Sequence, residues 1–141
     1  LTYSACNARQ ISRGLLIYSS DFDGRLPAEN WQSAVHPHVD SDDVFQEAIR
    51  RKEGRPNGFG MNRALLGGQL ATLASPESTV LIYISHQPGP NAVGGAEDVR
   101  FPLRWPLQSE TAMAMADGSH QRIKRREFDP RVFRVDFKDS E

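Results

Sequence analysis

Two carboxylates ahead of a glycine form the first spacing in this chain that points to chemistry. Asp21-Phe22-Asp23-Gly24 sets acidic side chains two residues apart before a turn residue. A hard cation such as calcium wants several such oxygen ligands. The twelve-residue calcium loop is incomplete, because Pro27 and Ala28 stand where later ligands would fall. The simpler reading is a helix-ending turn with solvated carboxylates. No cofactor is expected, and calcium at Asp21 and Asp23 is the one alternative. Asp117 is a further oxygen donor, but its simpler role is a type I′ turn residue. His36-Pro37-His38 is the one close histidine pair. With His86 and His120 it has the donors for zinc, though nothing in the spacing demands a site. A solvated loop accounts for it.

A nucleophile needs a base and an orienting group within reach. Ser85-His86 and Ser119-His120 are adjacent pairs. Neighbours on a strand point to opposite faces, so neither pair is a dyad by itself. Cys6 falls near the apolar stripe of a helix and reads as a small packed residue. Met113 and Met115 share a strand face with no His or Cys beside them, which reads as core and not as a soft-metal site. The one local charge concentration is basic: Arg122, Lys124, Arg125 and Arg126, with Arg131 and Arg134 nearby. It suits nucleic acid, anionic lipid or an acidic neighbour. Glu127, Asp129, Asp136 and Asp139 dilute it, and no aromatic stacking motif is interleaved. A solvated strand face is the simpler reading. No nucleic-acid partner is expected, and the chain reads as a non-enzyme.

Composition sets the frame for these residues. Seventeen Lys+Arg against eighteen Asp+Glu give a formal net charge of −1, which excludes a globally basic nucleic-acid binder. With 38% hydrophobic and 25% charged residues, the chain is not a disordered polyelectrolyte. A single cysteine excludes an intrachain disulfide framework and a Cys-rich zinc site. One domain of 141 residues buries about two-thirds of its unfolded surface, enough for a core without staples. The apolar run at 80–84 is far shorter than the roughly twenty residues that span a bilayer. No signal peptide is visible.

The elements that must position the polar residues follow from periodicity. Ala8, Ile11, Leu15, Tyr18 and Phe22 keep 3- and 4-residue steps, which predicts an amphipathic helix over 3–22, ended at Gly24. Trp31 and Val35 suggest a short helix stopped by Pro37. The acidic start at 40–43, followed by Val44, Phe45, Ala48 and Ile49, suggests another that closes on Arg50, Arg51 and Lys52. Residues 59–68 read as irregular with a short helix at 61–66. Residues 79–85 form the clearest strand, and 87–98 read as a loop. Pro102 demotes 99–105 to an edge strand or extended segment. Residues 111–116 and 119–124 flank Asp117-Gly118, a two-residue hairpin signal. Phe128, Val132, Phe133, Val135 and Phe137 suggest a final strand, and 139–141 a frayed tail. Helices first and strands later predict an α+β fold: a long N-terminal helix packed on an antiparallel sheet of about four strands.

Several strings in this order resemble the soluble part of prepilin-like, type II secretion pseudopilin-like proteins, the family with a prepilin-type N-terminal cleavage and methylation segment. They are Cys6-Asn7-Ala8-Arg9-Gln10-Ile11, Tyr18 through Pro27, Phe59-Gly60-Met61-Asn62 with Leu66-Gly67-Gly68, and Met115-Ala116-Asp117-Gly118-Ser119-His120. Leu107 stands where a related subgroup has a histidine, and no Cys-Pro precedes the Gly-Met-Asn segment. The resemblance implies a single pilin-like domain over 1–141. Residues 1–22 would be the C-terminal half of the long helix, 23–78 a helix and loop region, and 79–137 the sheet region. It implies a hydrophobic, peptidase-cleaved helix upstream of Leu1, inserted in the inner membrane, with the head on the periplasmic side. Leu1 itself falls inside a helical pattern, which agrees. The implied function is that of a structural subunit of a type II secretion or type IV pilus-like filament, partnered by other pilin-like subunits. The alternative is an extracytoplasmic α+β ligand-binding module that uses the 87–98 loop or the basic strand 122–126. A metal-dependent enzyme built on His36 and His38 is the third reading.

Overall fold

The computed structural model describes residues 2–39, 42–45, 58–87, 89–101 and 109–138. Helix α1 (Thr2–Asp21) opens the chain. Its buried line is Ser4, Ala5, Ala8, Ile11, Ser12, Leu15 and Ser19. Most of these side chains are small, so the helix axis can approach its support closely. The expected stripe holds through Leu15 and then departs. Tyr18 is half-buried and Phe22 is 53% exposed. Their rings stack with centroids 4.2 Å apart, covering each other instead of entering the core. The helix stops when Gly24 N donates to Ser19 O at 2.7 Å, with Asp23 left-handed at φ 57.

Helix α2 (Trp31–Val35) buries both residues that predicted it, and passes into a 3-10 turn, His36–His38, that contains Pro37. The proposed third helix begins as a 3-10 turn, Asp42–Phe45, with Val44 and Phe45 buried. Ala48, Ile49 and the basic residues 50–52 lie outside the described residues.

Five strands follow among the described residues: β1 (Phe59–Asn62), β2 (Val80–Ile84), β3 (Ala92–Gly94), β4 (Glu110–Met115) and β5 (His120–Lys124). They form one mixed sheet in the order β3-β1-β2-β4-β5, with β1 and β3 parallel and the other neighbours antiparallel. This corrects the four antiparallel strands expected. The difference lies in β1 and β3, where the sequence suggests an irregular stretch and a loop. In β1 the glycine and the lack of alternation hide a strand buried on both faces. Gly60 is required there. A Cβ would lie 2.7 Å from Cζ of Tyr83, whose ring crosses it from the paired strand.

Strand β4 reads Glu-Thr-Ala-Met-Ala-Met and is two-faced. Ala112 and Ala114 join the core beneath α1. Met113 and Met115 fill a second core on the other face, with Val80, Tyr83, Phe101 and Phe133. The methionines are therefore packing residues. The predicted final strand is absent. Asp129 Oδ1 accepts from Arg131 N at 3.0 Å and caps a 3-10 turn, Pro130–Phe133, which carries Phe133 onto the second core. A further 3-10 turn spans Arg125–Glu127. Among the described residues, Phe137 keeps an extended contact, a bridge to Leu73. Residues 102–108 and the tail at 139–141 lie outside the described residues; Val99 makes an isolated bridge to Ser85. No described helix is long and apolar enough to cross a membrane.

Candidate functional site

The register of the β4–β5 hairpin decides which polar side chains meet α1. Ala112 opposes Arg122 and Ala114 opposes His120. Directly opposed residues share a sheet face, so His120 and Arg122 stand on the helix side of the edge strand. Arg9 and Arg13 lie one helical turn apart and occupy one flank of α1. Together with Leu16 they form one wall of an open groove of about 560 Å³. His120 and the turn residues 117–119 form the other wall.

The turn is tight against the helix. Gly118 has φ +90, and a Cβ there would meet Leu16 Cδ1 at 3.3 Å. Asp117 has no positive φ, so this is not the type I′ turn expected. Gly118 N donates to Met115 O at 3.0 Å, so the left-handed glycine is itself the last residue of a four-residue turn. The Asp117 carboxylate accepts from Ser119 N at 2.9 Å and from Ser119 Oγ, which ties it to its own turn. Glu110 pairs with Arg122 at 3.1 Å. Among the described residues, no carboxylate lies within ion-pair distance of Arg9 or Arg13.

The basic cluster at 122–126 is not one strip. The strand ends at Lys124, and the 3-10 turn carries Arg125 over the Phe101 ring, 4.5 Å from its centroid. Arg131 holds Asp129 at 2.8 Å. That contact keeps the exposed Asp129 carboxyl below its ordinary range and raises the Arg131 guanidinium.

Asp21 and Asp23 are exposed at the end of α1. The turn they flank docks on the chain at 67–70: Gln69 Nε2 donates to Asp23 O at 2.9 Å, and Leu70 N to Gly24 O at 3.0 Å. His36 lies by the Phe45 ring and His38 by the Tyr18 ring, so the pair diverges. Among the described residues, no three His, Cys, Asp or Glu gather as a metal site. Ser85 is buried and its Oγ accepts from Gln87 N at 3.0 Å, whereas His86 is exposed. Cys6 is exposed, which corrects its reading as a packed residue. Position 6 lies on the outward stripe of α1 with Tyr3, Gln10, Arg13 and Ile17.

The 87–98 loop is occupied by the fold. Its residues 92–94 are β3. Trp31 Nε1 donates to Ala92 O at 2.7 Å, and Asn91 Oδ1 accepts from Gln32 N at 2.8 Å. Asp98 Oδ2 accepts from Gly95 N at 3.1 Å. The residues that sequence reading missed are Arg9 and Arg13. Their four-residue spacing is visible in the chain, but the strand lying beside them is not. Comparisons with protein-family models, with curated proteins and with solved structures find no match.

Proposed function

We propose that this chain is the head of a pilin-like structural subunit, non-enzymatic, serving a type II secretion or type IV pilus-like filament. Its partners are other pilin-like subunits and, through a hydrophobic helix encoded upstream, the inner membrane; the head stands on the periplasmic side. The observation that carries the reading is the outward stripe of α1. While the inner stripe is seated on the sheet, Tyr3 is 39% and Ile17 51% exposed on the opposite side of the same helix. Ile17 and the exposed part of Tyr3 are apolar surface on that stripe that a neighbouring copy can cover. Neighbouring copies packing helix to helix in a head-to-tail array would cover them. The ordered strings of the prepilin-like family support the same assignment.

Formaldehyde crosslinking of the native protein in its own cells tests it. The expected result is a ladder of covalent oligomers in the envelope fraction, which Ile17→Asp collapses to monomer while the purified head stays folded. A wild-type protein that remains monomeric there would overturn the reading. So would a ladder indifferent to Ile17→Asp, or upstream codons without an apolar stretch of about twenty residues.

A further inference from the structure

We propose that the groove between α1 and the β4–β5 turn is a binding site for a phosphate-type oxyanion, free or carried on a small molecule. Arg9 and Arg13 share one helix flank, and His120 faces them from the edge strand. Like charges one turn apart on a helix repel. Neither arginine has a carboxylate partner among the described residues. Arg122 stands on the same sheet face but is already paired with Glu110. The one acid in the groove, Asp117, is turned into its own hairpin by Ser119. The fold thus brings guanidinium groups, whose forks match the oxygens of phosphate, to one groove where no described carboxylate pairs with them.

Shape agrees with a small ligand. The groove is open to solvent, and its volume of about 560 Å³ exceeds a bare ion. Gly118 contributes no side chain, so that end of the groove stays low, and Leu16 offers an apolar flank for a carrier. An extended polyanion fits less well. The basic residues at 122–126 are divided between a strand pair with Glu110 and a ring contact with Phe101, and do not continue the groove as a track.

Titration of the isotope-labelled chain with inorganic phosphate, and separately with glycerol 1-phosphate, followed by amide NMR, tests the site. Saturable shifts are expected at Gly118, Ser119 and His120, with sodium chloride at matched ionic strength as the reference. Arg9→Gln and Arg13→Gln should each weaken binding about tenfold, the loss of one charge-assisted contact. Arg126→Gln, an exposed cation outside the groove, should change it by less than about twofold. Both arginines sit on the helix surface, so amide dispersion will show that the variants fold. Equal affinities would identify a free ion as the ligand, and tighter binding of the ester a carried group. Shifts that chloride reproduces would overturn the site. So would a loss in Arg126→Gln equal to that in Arg13→Gln.

Discussion

Ser12 Oγ donates to the carbonyl of Met115 at 2.9 Å, joining the middle of α1 to the last residue of β4 across 103 positions. The bond is buried, and the same carbonyl accepts Gly118 N at 3.0 Å. It therefore fixes where along the helix the hairpin turn sits, and with it the distance between Arg13 and His120. Ser12→Ala keeps the close helix–sheet packing and leaves the Met115 carbonyl one partner. It should cost about 0.5–1.5 kcal/mol, the usual net worth of one hydrogen bond. Urea unfolding measures this, and an unchanged midpoint would refute the locking role.

Asn91 also acts across a long stretch of chain. Its Oδ1 accepts from Gln32 N at 2.8 Å and from Ser33 N at 3.3 Å, so a loop residue on the edge of the sheet caps α2. It is also left-handed, with φ 62. Asn91→Ala loses the cap and strains the backbone, and should cost about 1–2 kcal/mol. Asn91→Gly loses only the cap and should retain part of that. Thermal unfolding of both variants checks the order; alanine performing as well as glycine would remove the backbone part of the account.

These two bonds explain what was legible in the chain and what was not. The helix, β2 and the β4–β5 hairpin carry local patterns: the steps of Ala8, Ile11 and Leu15, the apolar run at 80–84, and the alternation of alanine and methionine. Strand β3 has three residues in a Gly- and Pro-rich stretch, and its place beside β1 is held by Trp31 and Asn91 through partners about sixty positions away. No local pattern encodes that. At the C-terminus, Phe128, Val132 and Phe133 have strand-like composition, but Asp129-Pro130 is a helix-start signal that prevails. The groove divides the same way. The spacing of Arg9 and Arg13 is local, whereas their opposition to His120 depends on hairpin register and on how the helix is seated.

Gly60 and Tyr83 are in tight steric contact across the paired strands β1 and β2. An added Cβ at Gly60 meets Cζ at 2.7 Å and the phenol oxygen at 2.8 Å. The ring has no room to retreat, since Phe133 closes on it with centroids 5.2 Å apart. Gly60→Ala should therefore destabilise by about 1–3 kcal/mol, the range for overpacked cores. In a Tyr83→Val background the same substitution should cost less, because the clashing atoms are gone. A double-mutant cycle in urea reads the coupling; purely additive effects would show that the clash is not the cause.

Tyr83 Oη is itself buried, and the Ser85 hydroxyl near it does not close a well-formed hydrogen bond. A hydroxyl taken from water without a bond is a cost, so Tyr83→Phe should leave stability unchanged or raise it. Burial, and after it the negative charge of Asp98, pushes the phenol well above its ordinary value of 10.0, while the nearby Ser85 hydroxyl and the Arg63 charge pull the other way. The sign follows from proton binding. Above pH 10 the unfolded chain releases this proton and the folded chain keeps it, so stability is full below that pH and falls as pH rises toward the folded value. The slope approaches about 1.4 kcal/mol per pH unit for one such group. Urea midpoints between pH 9 and pH 11.5 should drop in the wild type more steeply than in Tyr83→Phe, in which this contribution is missing. Parallel curves would mean that the phenol ionises in the folded protein as freely as in the unfolded chain.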